Sequence, residues 1–147
     1  MKFLINKTYG YFVNLSKVFS RKNLNNFIYN ELSSTKNLNR VLLIGSTGRI
    51  NDLLIKISKE KSFELFTLDI YEKYSPDILS DICEYDFTND KYDVIVIPEV
   101  LQAIPTPEKA IDNIFSGLSN NGSLILTVPF IFPIVDRPND YYRFTKF

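Results

Sequence analysis

From Arg40 onward the chain alternates short apolar runs with amphipathic ones. "RVLLIG" is continuously apolar, the pattern of a strand buried on both faces. In "NDLLIKISKEK" and the residue before it, Ile50, Leu53, Leu54 and Ile57 recur at helical spacing, which predicts a helix with one apolar stripe. Further strands are predicted at "FELFTLDI", "PDILSD", "YDVIVIPE" and "SLILTVPF". Between the last two, Thr106 suits a cap and Pro107 the first helical position; Ala110, Ile111, Ile114, Phe115 and Leu118 share one face. "SNNG" then stops the helix, with Gly122 suited to a left-handed conformation. Strand, helix, strand, repeated, predicts an α/β fold: a Rossmann-like parallel sheet with helices on both faces.

Residues 1–39 differ and read as a helical lead-in to a domain over 40–147. Phe3, Leu4, Tyr11, Phe12, Leu15, Val18 and Phe19 fall at mostly helical spacings, a second short helix is predicted over Leu24 to Leu32, and "SSTKNLN" reads as a connector. Up to Asn30 this segment carries Lys2, Lys7, Lys17, Arg21 and Lys22 and no acid. Basic and aromatic residues on one helix suit peripheral contact with an anionic membrane surface; the plainer reading is a helix that covers a core and keeps its lysines in water.

Composition narrows the chemistry. The 147 residues hold 17 basic and 17 acidic side chains, so no global field points to nucleic acid. One cysteine, Cys83, excludes an internal disulfide, and with no histidine there is neither a ligand set for structural zinc nor an imidazole for a Ser-His-Asp or Cys-His mechanism. Any general base is Asp, Glu, Lys, Tyr or water. No run approaches the ~20 apolar residues of a membrane span, and the N-terminus is too interrupted by polar residues for a signal peptide core. The expected location is the cytoplasm.

In a parallel sheet the ligand sits at the carboxyl ends of the strands, near the switch in strand order. The turn Gly45-Ser46-Thr47-Gly48 follows the first strand there, where glycines let the backbone approach a ligand. It suits either an NAD(P)-binding loop or a modified loop for S-adenosylmethionine. Asp69 ends the second strand, about 20 residues on, where an acid accepts hydrogen bonds from ribose hydroxyls. Asp81 follows the third strand and suits an adenine amino group, with Ile70 and Ile82 packing on the ring.

The stretch from Asp77 to Phe130 resembles the class I S-adenosylmethionine-dependent methyltransferases. Tyr92-Asp93, Glu99-Val100-Leu101, Ile104-Pro105, Pro107, Gly122 and Leu124 to Phe130 match that family's pattern without a gap, and the tail "PNDYYRFTKF" is similar to a subgroup carrying Asp-Tyr-Tyr-Arg-Phe-Thr after the fifth strand. The resemblance implies S-adenosylmethionine held by Gly45, Ser46, Thr47, Gly48, Asp69, Ile70, Asp81, Ile82 and Glu99. It further implies O- or N-methyl transfer to a small or sugar-like acceptor. Asp140, Tyr141, Tyr142 and Arg143 would line the acceptor side, Arg143 meeting an anionic group and Asp140 or a tyrosine removing the proton. No metal is implied.

The chain departs from the family at defined points. Leu43 stands where an acid ends the first strand, Thr47 and Arg49 replace two loop glycines, and Gln102-Ala103 replace Glu-His. Only Ile131 to Phe147 follow the fifth strand, where the family continues with a helix and two strands. A truncated family member, or a protein partner or homodimer covering the fifth-strand edge, is therefore expected.

Two other readings stay open. A degenerate methyltransferase-like domain would act as a binding or scaffold module. Alternatively, Tyr142 and Lys146 form the Tyr-x-x-x-Lys of short-chain dehydrogenases, which places a phenol and an ammonium on one helix face; Asn51 stands where that family's third loop glycine belongs.

Overall fold

The computed structural model describes residues 2–130 and 138–145. The chain divides into two compact units, Met1–Ser34 and Thr35–Phe147. The first is one helix, α1 (Lys2–Ser34), and not the two predicted. No proline interrupts it, and a lone Gly10 costs only about 1 kcal/mol, too little to break the hydrogen-bond ladder. Among the described residues no helix is long and apolar enough to cross a membrane.

The second unit carries β1 (Arg40–Ile44), α2 (Gly48–Lys61), β2 (Glu64–Asp69), β3 (Ile78–Leu79), β4 (Tyr92–Pro98), α3 (Pro107–Gly117) and β5 (Leu118–Thr127). All strands pair in parallel in the order β3-β2-β1-β4-β5, the predicted α/β sheet. Val41, Leu42, Leu43, Ile44 and Val94 to Ile97 are all buried, as a sheet covered on both faces requires. Alternate residues serve different faces. Leu42, Ile44, Leu68, Ile95 and Ile97 join Ala110 and Ile114 of α3 in one core cluster. Right-handed crossovers explain this: β1 to β2 steps one way and β4 to β5 the other, which puts α2 and α3 on opposite faces. The reversal lies between β1 and β4, and a crevice opens there.

Three details differ from the sequence pattern. α2 starts a turn early, at Gly48, and Phe115, assigned to the buried stripe of α3, is 77% exposed. "SNNG" is not a turn outside the sheet: β5 begins at Leu118, and its register against β4 slips between Tyr92 and Val94, so residues 118 to 123 answer two steps of β4. Asn121, not Gly122, takes the left-handed conformation (φ 64°). Gly122 is needed for close approach instead, because a Cβ there would lie 2.9 Å from Ser119 O and 3.1 Å from Tyr92 O.

At the amino ends of the strands, Asp93 holds three segments together. Its Oδ2 accepts the N–H groups of Asn39 (2.8 Å) and Arg40 (3.0 Å), and its Oδ1 accepts the Ser119 hydroxyl (3.0 Å). Burial works to raise its pKa, but these hydrogen bonds win and hold it below the usual carboxylate value. A lowered carboxylate contributes stability that is present above its unfolded pKa and is lost as pH falls through the folded one. Asp93→Asn is therefore expected to cost about 1–3 kcal/mol at pH 7, and the gap to wild type to shrink below about pH 4. Thermal unfolding across pH measures this; a gap independent of pH would assign the loss to geometry and not charge. Part of the acid sensitivity persists in the variant, since Asp90 is also lowered, first by the Tyr85 hydroxyl (2.6 Å) and then by Arg40.

Candidate functional site

β1 ends in the turn that shapes the crevice. Gly45 has φ +88°, and a Cβ on it would meet Val100 Cγ2 at 2.7 Å, so two constraints require glycine. Its N–H donates to Leu68 O (2.8 Å), which ties the turn to β2. Gly48 (φ +72°) opens α2 with free space around the missing Cβ, so here the backbone conformation alone favours glycine. Thr47 caps α2 by position, without a side-chain cap bond.

Asp69 is the centre of this arrangement. It is 7% exposed at the carboxyl end of β2. Oδ2 accepts the Ser46 N–H (2.9 Å) and Ser46 hydroxyl (3.2 Å), and Oδ1 accepts the Tyr71 N–H (2.9 Å). A carboxylate has about four acceptor directions, so one remains on Oδ1. Asp81 uses one oxygen to accept the Cys83 N–H (2.8 Å) in an Asx-type turn.

The loop after β4 forms the opposite wall. Glu99 is a non-glycine residue at φ +53°, a conformation that costs of order 1–3 kcal/mol and collects at functional sites. It is held from both sides: its N–H donates to Thr127 O (2.8 Å), and its carbonyl accepts the Gln102 side-chain amide.

These segments enclose a cavity of about 470 Å³ at the carboxyl ends of the strands, within the range of small-ligand sites. Of the sequence-predicted cofactor residues, Gly45, Thr47, Asp69, Ile70, Asp81, Ile82 and Glu99 line it. Ser46 and Gly48 do not: Ser46 lies beneath, bonded to Asp69, and Gly48 is the first residue of α2. None of Asp140, Tyr142 and Arg143 lines the cavity. Asp140, its side chain 3% exposed, pairs with Arg143, whose Nη2 donates to Oδ2 at 2.8 Å. Tyr142 donates its hydroxyl to Pro105 O (2.8 Å) from a segment that is not helical, so it offers no helix face to share with Lys146, which falls outside the described residues. Tyr141, also expected on the acceptor side, does line the cavity, and so does Asn139.

Tyr71 and Tyr74 also line it and were not legible as site residues. Their rings meet edge to face at 6.0 Å, and Lys73 Nζ lies 4.9 and 4.7 Å from the two ring centres. Their only sequence signal is a pair of tyrosines just after the acid that ends a strand. Among the described residues no cluster of three or more acidic or cysteine side chains is arranged to hold a metal ion.

The chain matches no protein-family model and no curated protein sequence. Solved structures do match. The N-methyltransferase NodS from Bradyrhizobium japonicum WM9, in complex with S-adenosyl-L-homocysteine, aligns at 24% identity and TM-score 0.58 over 72% of this chain and 60% of NodS. The fold is a methyltransferase fold. A SAM-dependent methyltransferase from Archaeoglobus fulgidus aligns at 18% identity and TM-score 0.55, over 71% of this chain and 51% of that one. The plantazolicin methyltransferase BpumL, in complex with SAH, aligns at 22% identity and TM-score 0.53, over 66% of this chain and 41% of its own. The chain thus spans about half the length of the methyltransferases it matches. The likeness is one of fold, and what the site does is argued from its residues.

Proposed function

We propose that residues 40–147 form the cofactor-binding core of an S-adenosylmethionine-dependent methyltransferase acting on a small or sugar-like acceptor. The observation that carries this reading is Asp69: a buried carboxylate at the end of β2, pinned by Ser46 and Tyr71, with one acceptor direction left beside a cavity. That direction suits a ribose hydroxyl. Asp81 suits the adenine amino group, with Ile70 and Ile82 on the ring, and the Gly45 turn and Glu99 face the remainder of the cofactor. The residues fit the group: the cavity is apolar where a ring would lie and carries carboxylates where hydroxyls and an amine would be.

When bound, S-adenosylmethionine supplies an activated methyl group. The chain's own contribution is to hold cofactor and acceptor in attack geometry and to exclude water, the entropic part of catalysis. Transfer to an oxygen or a nitrogen both remain within this reading.

A second reading is a binding or scaffold module without activity. It is favoured by Leu43, fully buried where the resembling family carries an acid, and by Thr47 and Arg49 in place of glycines. The test is calorimetric titration of the purified chain with S-adenosylmethionine, S-adenosylhomocysteine and NADPH. Micromolar binding of both adenosyl ligands is expected. NADPH binding alone would favour a dehydrogenase, and no binding by a folded chain would favour the scaffold.

A further inference from the structure

The family resemblance puts Asp140, Tyr141, Tyr142 and Arg143 on the acceptor side. Of these four Tyr141 lines the cavity, joined by Asn139, and the neighbouring residues hold that segment in place. The N–H groups of Tyr141 (2.9 Å) and Tyr142 (3.2 Å) both donate to Gln102 O, in the short helical turn after β4. The Tyr142 hydroxyl donates to Pro105 O (2.8 Å), and its ring stacks on Phe144 with centres 5.7 Å apart. Asp140 is buried against Arg143. From Asn139 to Tyr142 the residues thus take turns between the cavity and its support.

Resting on the methyltransferase reading, we infer that Tyr141 is the specificity-determining residue of the acceptor half of the cavity. Tyr142 is the positioning residue that pins it to Pro105. Adenosine contacts fall to Asp69, Ile70, Asp81 and Ile82 on the β2–β3 side, and the Tyr141 segment stands on the side of β4 and its loop. Tyr141 Oη lies 3.4 Å from Asn139 Oδ1, at the long limit of a hydrogen bond, so both groups keep most of their capacity for a ligand. A phenol and a carboxamide are uncharged and offer both donor and acceptor. The acceptor they select is a neutral hydroxyl- or amine-bearing molecule. An anionic acceptor is disfavoured, because Arg143 is committed to Asp140.

The test needs no acceptor. Cys83 is the sole cysteine, so Tyr141→Cys in a Cys83→Ser background carries one thiol, whose labelling rate by a disulfide reagent reports access to this wall. Two probes are compared: S-adenosylhomocysteine, and an aza analogue of S-adenosylmethionine in which nitrogen replaces sulfur and bears benzyl in place of methyl. The analogue is expected to slow labelling at least tenfold, and S-adenosylhomocysteine less than threefold. Tyr142→Phe, added to the same background, is expected to raise the unliganded rate threefold or more. If Tyr141→Cys does not fold, Asn139→Cys takes its place with the same expectations.

Equal protection by both probes would make Tyr141 a cofactor contact and overturn the inference. So would no protection, failure of the analogue to bind where S-adenosylhomocysteine binds, or an unchanged rate in Tyr142→Phe. Failure of S-adenosylhomocysteine to bind the unsubstituted chain would instead overturn the methyltransferase reading itself.

Discussion

Asp69→Ala is expected to lower the affinity for S-adenosylhomocysteine by about 10- to 100-fold, the loss that follows from deleting a hydrogen bond to a charged group. The same change leaves the Ser46 N–H, the Ser46 hydroxyl and the Tyr71 N–H without their acceptor, in a place where Asp69 is 7% exposed. Orphaning such groups costs about 1–3 kcal/mol each where water cannot replace the carboxylate, so a fall in stability accompanies the loss of binding. Asp69→Asn separates the two effects. The amide retains one acceptor oxygen but turns an NH₂ toward either Ser46 or Tyr71, so part of the binding loss is expected with a strained turn. Calorimetric titration and thermal unfolding of both variants check this. Full affinity in Asp69→Ala would remove Asp69 from the site and with it the ribose assignment.

Tyr92→Ala is expected to give the largest loss of stability, about 3–5 kcal/mol, as for other large aromatic truncations in cores. Tyr92 is 1% exposed and sits at the centre of an aromatic group. Phe66 meets it edge to face at 5.6 Å and Phe87 at 6.2 Å, while the Arg40 guanidinium lies 5.0 Å above its ring. Deleting the ring opens a cavity between β1, β2 and β4 that their backbones are too well paired to close. For a chain of this length the midpoint of unfolding falls by on the order of 10 °C or more. Tyr92→Phe keeps the ring and is expected to cost about 1 kcal/mol, since it removes only the hydroxyl. Burial raises the pKa of that hydroxyl, so it stays protonated across the working range. Scanning calorimetry of the pair measures the ring against the hydroxyl; equal losses would place the contribution in the polar group.

Local physics carried most of the architecture. An apolar run such as "VLLI" can be buried only between two layers, and the proline-led stretch from Thr106 has one apolar side and a matching first turn. Those two facts impose alternating strands and helices, and right-handed crossovers then restrict the order of strands. The glycine turn and Asp69 were legible for the same reason: they follow directly from where β1 and β2 end. The break at "SNNG" was misread because a bulge and a turn use the same residues; only the pairing with Tyr92 decides between them. Phe115 was misassigned because a helical stripe has edges, and the packing of Phe87 against Gly117 leaves Phe115 outside.

The amino-acid sequence by itself determined the fold class, the lack of an imidazole and of an internal disulfide in these 147 residues, and the acid and glycine positions of one crevice. Each follows from residue identity or from spacing within one element. Tertiary structure decided which further residues close that crevice. Tyr71 and Tyr74 enter it because Asp69 bends the chain after β2 through the Tyr71 N–H. Among the tail residues expected on the acceptor side, Tyr141 enters because Gln102, far away in sequence, accepts its N–H, and Asp140 is excluded because its charge requires Arg143 once buried. Periodicity assigns a side chain to a face, but which residues of an irregular segment meet a ligand depends on hydrogen bonds to distant backbone, which no local pattern encodes.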